Sequence, residues 1–233
     1  VVIIVLAVAT LASVTALFLR GFKLQDITEQ LTNQELQTPT LQVWLLKTEG
    51  YDSKMSAYQS GISAASNGLG VYVLPENGKW TWVAGVYSSE DAANDALNQT
   101  GIPSEAKIYP YQITGKKFSI SPDVLMPCQQ VLNSVQNVFA ILLNLRTAIT
   151  VNDDIKSLQL DLITDYNQIK SGAENLQTLN ANLQSKIIAT IIYTANQNLL
   201  GLQDIVYADA AEIPSLAIIN TALLKSIFSL DNF

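Results

Sequence analysis

The side chains best placed to do chemistry in this chain are rings. Trp44, Tyr72, Trp80, Trp82, Tyr109 and Tyr111 fall in short runs of alternating residues, with Gln42 two positions ahead of Trp44. In a strand, every second side chain points to the same face. If Val43, Leu45, Val71, Val73, Thr81, Val83 and Ile108 face a helical layer, the opposite face carries Gln42, Trp44, Tyr72, Trp80, Trp82, Tyr109 and Tyr111. Such a surface, aromatic and poor in charge, packs on the flat C–H patches of sugar rings, while amides and hydroxyls supply hydrogen bonds. Gln42, Trp44, Tyr72, Trp80, Trp82 and Tyr109 are therefore the candidate glycan-binding residues. A competing reading makes this face a second core, covered by the C-terminal tail or by a segment near Phe118.

Other chemistry is mostly excluded. The chain has no His, which removes Ser–His and Cys–His catalysis, most zinc sites and any imidazole switch. Its single cysteine, Cys128, sits in an apolar stretch and reads as a small buried hydrophobe. Asp153-Asp154 and Glu90-Asp91 are adjacent acids at helix starts, where they favour the macrodipole. Gly68-Leu69-Gly70 lacks a third glycine and reads as a helix stop. No catalytic residue, metal ligand or cofactor is expected. Acids outnumber bases 20 to 13, for a net charge of −7, so a phosphate-tracking nucleic-acid surface is not expected either.

The rings must be held by strands, and the local signals give an order for them. Leu41 to Lys47 reads as a strand. Asp52 caps a helix running to about Asn67, with Met55, Tyr58, Ile62 and Ala65 on one face. Val71 to Leu74 and Trp80 to Tyr87 are strands joined by Asn77-Gly78, a strong hairpin signal because both residues tolerate positive φ. Ser88 caps a second helix, with Asp91 in a capping-box position. Ala106 to Ile113 is a fourth strand. The order is βαββαβ, and the expectation is an α+β fold of the ferredoxin-like kind: a four-stranded antiparallel sheet with both helices on one face. RRM domains and acylphosphatase-like enzymes share this topology. The acidic charge disfavours the first, and the lack of an arginine in the module disfavours the second.

The run Trp82-Val83-Ala84-Gly85-Val86-Tyr87-Ser88-Ser89-Glu90-Asp91-Ala92 resembles the SPOR (sporulation-related repeat) domain family. Gln42-Val43-Trp44-Leu45 with Tyr51-Asp52 is a weaker copy, in which Lys47-Thr48-Glu49 replaces the Gly-x-Phe turn frequent in that family. The resemblance covers about Leu41 to Ile113. It implies a module that binds peptidoglycan glycan strands, notably those stripped of stem peptides, and gathers at septa during division or sporulation.

The flanking segments read differently. Val1 to Leu19 carries no charge and, at 1.5 Å per residue, nearly covers the roughly 30 Å hydrocarbon core of a bilayer. Arg20 and Lys23 can snorkel to headgroups. Residues 1–20 are thus expected to anchor the chain in the lipid bilayer, with a signal peptide as the alternative. A basic segment ahead of Val1 would leave the bulk of the chain extracytoplasmic, whereas Arg20 and Lys23 alone favour the reverse. Residues 21–40 read as a polar spacer and 41–120 as the α/β domain. Residues 121–233 read as an antiparallel helical bundle. In it Cys128, Val131, Val135, Val138, Leu142, Leu145 and Ile149 form one heptad seam, and Ile155, Leu162, Ile169, Leu176 and Leu183 recur at intervals of seven. Such a bundle has its own core or docks a protein partner.

Overall fold

The computed structural model describes residues 34–98, 102–151, 153–207 and 213–233. The expected anchor and most of the spacer lie outside the described residues. The fold is α+β, with six helices and two antiparallel sheets among the described residues. The elements are β1 (Gln34–Gln37), β2 (Leu41–Tyr51), α1 (Lys54–Ala65), β3 (Tyr72–Glu76), β4 (Lys79–Tyr87) and α2 (Glu90–Leu97). They continue with β5 (Lys107–Ile113), β6 (Lys117–Ile120), α3 (Pro122–Val151), α4 (Lys156–Leu183), α5 (Lys186–Val206) and α6 (Leu216–Leu230). The larger sheet runs β3-β4-β2-β5, every neighbour antiparallel.

Turn and cap chemistry sets these boundaries. Asn77 and Gly78 take φ of 52° and 76°, closing the β3–β4 hairpin between Glu76 and Lys79. Ser53, not Asp52, caps α1: its Oγ accepts from the Ser56 N–H at 3.1 Å, while Asp52 pairs with Lys79 instead. Ser89, not Ser88, caps α2, accepting from the Ala92 N–H. Two bulges interrupt the β2–β4 ladder, the first where Leu46 pairs with Gly85 and Lys47 with Val83. That extra residue puts Val83 and Val86, three apart, on one face.

The last part of the spacer is structured. Gln34–Gln37 pairs antiparallel with Lys117–Ile120, and Leu36 is fully buried with Ile120. One apolar side chain between polar ones is enough for a short edge strand once β6 offers a partner.

Small residues shape α1. Its buried side is Ala57, Gly61 and Ala64, and Met55, Tyr58 and Ile62 face outward at 63%, 46% and 52% exposure. The expected large apolar face is therefore the outer one. The reason is steric: a Cβ on Gly61 would lie 2.8 Å from the Trp82 Nε1 and 2.9 Å from Val71 Cγ1. Only a thin Ala/Gly surface lets the helix rest on an indole.

In the bundle, the expected seam of α3 is buried from Cys128 to Leu145, and Ile149 is half-buried. Burial pushes the Cys128 thiol up to about 11, which keeps it an unreactive hydrophobe at neutral pH. In α4 Leu162, Ile169 and Leu176 are buried, while Leu183 is exposed at the helix end. Gly172 does not merely bend α4. A Cβ there would lie 2.5 Å from Val131 Cγ2, so the glycine permits close approach to α3. Gln184, at φ 48°, ends α4, and Ser185 caps α5. Ser215 caps α6. Consecutive helices pack on one another, and α6 also returns to α3.

The second face of the large sheet is mostly not open. α6 lies across β3 and β4, and Val43, Leu45, Val83 and Val86 share one apolar core with α3–α6. Thr221 Oγ1 accepts from the Val71 N–H at 3.0 Å, and Asn220 Nδ2 donates to Gly68 O at 2.8 Å. By length and composition, Pro122–Val151 is the one described helix apolar enough to cross a membrane. Here its apolar seam packs against the other helices.

Candidate functional site

The expectation of a single aromatic face is corrected by the strand pairing. Trp44, Trp80 and Trp82 lie on the side of α1 and α2, in a small core with Leu46, Ala57, Ala93 and Ala96. Tyr72 and Tyr109 point to the opposite side, because Tyr72 pairs with Val83 and Tyr109 with Leu45, both members of the bundle core. Gln42 is exposed near the start of β2, two residues from Trp44 and on its side of the strand. The six candidate residues thus divide four to two between the faces.

The helix side offers nothing to a ligand at Trp82. The indole is fully buried and its Nε1–H donates to Gly70 O at 2.9 Å, which satisfies its only polar group. Trp80 is half-buried, with Lys54 Nζ 5.9 Å from its ring centre. Trp82 is a packing residue, and Trp80 is only partly covered. Both short helices are narrow, and large rings fill the space beneath them.

The bundle side is different. The C-terminal end of α6 stops short of covering the sheet and leaves a cleft of about 710 Å³. Tyr109, Tyr111 and Phe228 line it, with Leu45, Leu74 and Val83 in the floor and Lys47, Glu76, Asp231 and Asn232 among the polar groups. Phe228 is a wedge: it stacks on Tyr72 at 4.7 Å and 15°, and meets Tyr111 edge-on at 5.5 Å. The Tyr111 hydroxyl donates to Asp231 Oδ2 at 2.7 Å. Burial, then that bond and charge, push its pKa well above the ordinary value.

Lys47 organises the polar wall. Its Nζ donates to both oxygens of Glu76, at 2.8 and 2.9 Å, and lies 2.8 Å from Glu49 Oε1. It also sits 4.1 Å from the centre of the Tyr109 ring, a cation–π contact. Burial works to lower its pKa, but the hydrogen bonds and charges of Glu49 and Glu76 outweigh that, so the ammonium is held charged above its ordinary range. Glu49 is lowered, chiefly by the bond from Lys47. Thr81 Oγ1 donates to Glu76 Oε2 at 3.1 Å, which fixes that carboxylate from a second strand.

The cleft thus joins flat rings to a fixed set of acceptors and one cation. Two carboxylates, Glu76 and Asp231, line it with one ammonium, Lys47, which Glu49 also contacts from outside the lining. Lys47, Glu76, Phe228 and Asp231 were not among the sequence candidates. A lysine two positions after Leu45 on an otherwise apolar strand was a usable signal for the first. Phe228 and Asp231 arrive from α6, far along the chain, and nothing local marks them. Among the described residues no group of three or more His, Cys, Asp or Glu is arranged to hold a metal. No family model, curated protein or solved structure matches this chain.

Proposed function

We propose that this protein is a non-catalytic, membrane-anchored cell-envelope protein that binds glycan in the cleft between its sheet and the end of α6. The four-stranded unit is read as a ferredoxin-like βαββαβ module, preceded by a transmembrane helix at residues 1–19. The SPOR resemblance makes peptidoglycan glycan strands the ligand, and septa of dividing or sporulating cells the place of action. The observation that carries the reading is the cleft itself: Tyr109 and Tyr111 beside a fixed Lys47–Glu76 pair, in a volume of about 710 Å³ that suits a few sugar units. Rings supply contact area and the fixed polar wall supplies orientation. The carboxylates favour binding over acid catalysis. Glu49 is held ionised, so it is not a poised proton donor, and Glu76 is fixed as an acceptor by Lys47 and Thr81.

The test is co-sedimentation of the full chain with amidase-treated sacculi. Wild type should be retained, and Tyr109→Ala should lose about tenfold in affinity, the scale of one stacking contact. Equal retention of both proteins, or none of wild type, overturns the reading. Trp82→Ala is unsuitable here, because it would act through folding.

A second reading is an interaction scaffold working through the bundle. It is favoured by the groove of about 340 Å³ between α4 and α5, where Leu160, at 65% exposure, stands beside Ile163 and Val206. In this reading the protein does not bind glycan, so neither wild type nor Leu160→Asp is retained on sacculi, and Leu160→Asp should abolish recruitment of a membrane or division partner. Full recruitment by that variant rejects the scaffold at this groove.

A further inference from the structure

Of the two arginines in the chain, Arg146 is the one among the described residues, and it is half-buried between β4, α3 and α6. Its Nη1 donates to Val86 O and, at 3.2 Å, to Asn220 Oδ1, and its guanidinium carbon stands 4.5 Å from the centre of the Tyr87 ring. Those contacts use both Nη1 hydrogens. The Nε–Nη2 edge meets no acceptor among the described residues, and no described carboxylate reaches ion-pair distance of Arg146. Burial lowers its pKa, and Tyr87 offsets that only in part. A half-buried guanidinium without a counter-charge costs desolvation that an apolar residue of similar volume would avoid.

Arg146 opens on a pocket of about 290 Å³, walled by Asn67 beyond α1, Asp95 of α2, Thr147 and Thr150 of α3, and Asn220 of α6. The two threonine hydroxyls already donate, to Leu143 O at 3.0 Å and to Arg146 O at 2.8 Å. They can accept from a ligand but have no hydrogen left to give. Asn220 Nδ2 gives one of its two hydrogens to Gly68 O and keeps the other. The side-chain donors that remain for an anion are the unused Arg146 edge, the second Asn220 Nδ2 hydrogen and the Asn67 amide. That edge is the planar fork that matches the two oxygens of a carboxylate. Leu69, Ala92 and Ala96 add a short apolar wall.

We propose that this pocket is a binding site for a small monocarboxylate, held by both oxygens on the Nε–Nη2 edge of Arg146 with its alkyl end against Leu69 and Ala96. At about 290 Å³ the cavity holds a carboxylate with a short alkyl chain. The Asp95 carboxylate across the pocket and the net charge of −7 select a single negative charge over phosphate or a dicarboxylate. The site is independent of the glycan cleft, which is lined by none of these residues.

The experiment is a titration of the full chain with sodium propionate, following the arginine Nε–Hε signals by ¹⁵N NMR against sodium chloride at equal ionic strength. With only Arg20 and Arg146 in the sequence, two signals are expected, and Arg20 serves as the internal reference. The Arg146 signal should move saturably with propionate and stay still with chloride. Asp95→Asn should tighten binding by about twofold to tenfold, because it removes a like charge from the pocket. Arg146→Lys should weaken it by at least about tenfold, since an ammonium offers no fork. A drift shared by both signals, the same response to chloride, or an Asp95→Asn variant that binds no tighter would each overturn the site. These readouts do not depend on the Arg146 variant folding.

Discussion

The two faces of the large sheet carry similar rings and use them in opposite ways. On the side of α1 and α2, Trp82 is sealed beneath Gly61 and Ala57, and its indole N–H is satisfied internally. On the bundle side, Tyr109 and Tyr111 remain in a cleft because α6 ends before it crosses β5. Ring type therefore says little about access. What decides is the bulk of the layer opposite. A thin Ala/Gly helix draws large rings into contact, whereas a thick Leu/Ile helix leaves a gap wherever it stops.

The comparison breaks first at Trp82. Trp82→Ala should cost about 3–5 kcal/mol, the range for emptying a buried aromatic site, and it also strands the Gly70 carbonyl. Urea denaturation of the full chain measures it. A loss under 1 kcal/mol would mean that the ring is not the keystone of the helix-side core. Gly61→Ala probes the same contact from the other partner. Forcing a methyl to 2.8 Å from the indole should cost about 1–3 kcal/mol, although alanine is the better helix former.

This contrast also explains what the sequence revealed and what it hid. The order of the four central strands and two short helices was legible because Asn77-Gly78 and the periodic runs are local signals, as is the heptad seam of α3, although each cap fell one residue later than read. The identity of each face was not. Both faces of β2 and β4 are buried, so Leu45-Leu46 and Trp82-Val83 present apolar residues to either parity, and alternation yields two classes without saying which meets the helices. The bulge at Gly85 then breaks strict alternation within β4. The missing clue lay in the helices: Ala57, Gly61 and Ala64, with Ala93 and Ala96, leave room for nothing smaller than an indole to fill. Weighing helix bulk against strand bulk would have turned Trp44 and Trp82 inward. The alternative of a second core under the tail describes most of the bundle face, and the cleft is its uncovered remainder. The turn of β1 in the spacer was hidden because its partner strand, β6, is itself only four residues long.

On the open side, effects should be smaller and fall on binding more than on folding. Tyr111→Phe removes the bond to Asp231 and should cost about 0.5–1.5 kcal/mol, because the end of α6 loses its tie to β5. The Lys47–Glu49 pair sharpens the point through pH. Glu49 has a folded-state pKa below its ordinary 4.5, so its contribution is complete above that value and disappears as pH falls through the lowered one. Its side chain is 43% exposed, which keeps the contribution below about 1 kcal/mol. The urea midpoints of wild type and Glu49→Gln should therefore differ at pH 7 and converge as acidification passes below the lowered carboxyl value. A gap that stays constant across that range would remove the pair from the cleft's stability.

The smallest effect belongs to the outer surface of α1. Met55, Tyr58 and Ile62 are large, apolar and spaced as a helix face should be, yet they point away from the core. If the small residues hold this helix on the sheet, the triple variant Met55→Ser, Tyr58→Ser, Ile62→Ser should change the urea midpoint by no more than surface substitutions do, about 0.5 kcal/mol per site. Serine lowers helix propensity slightly, so any change should be a modest loss. A loss several times larger would mean that α1 packs through its large side chains. Trp82 would then lack the thin helix that seals it, and the contrast between the two faces would collapse.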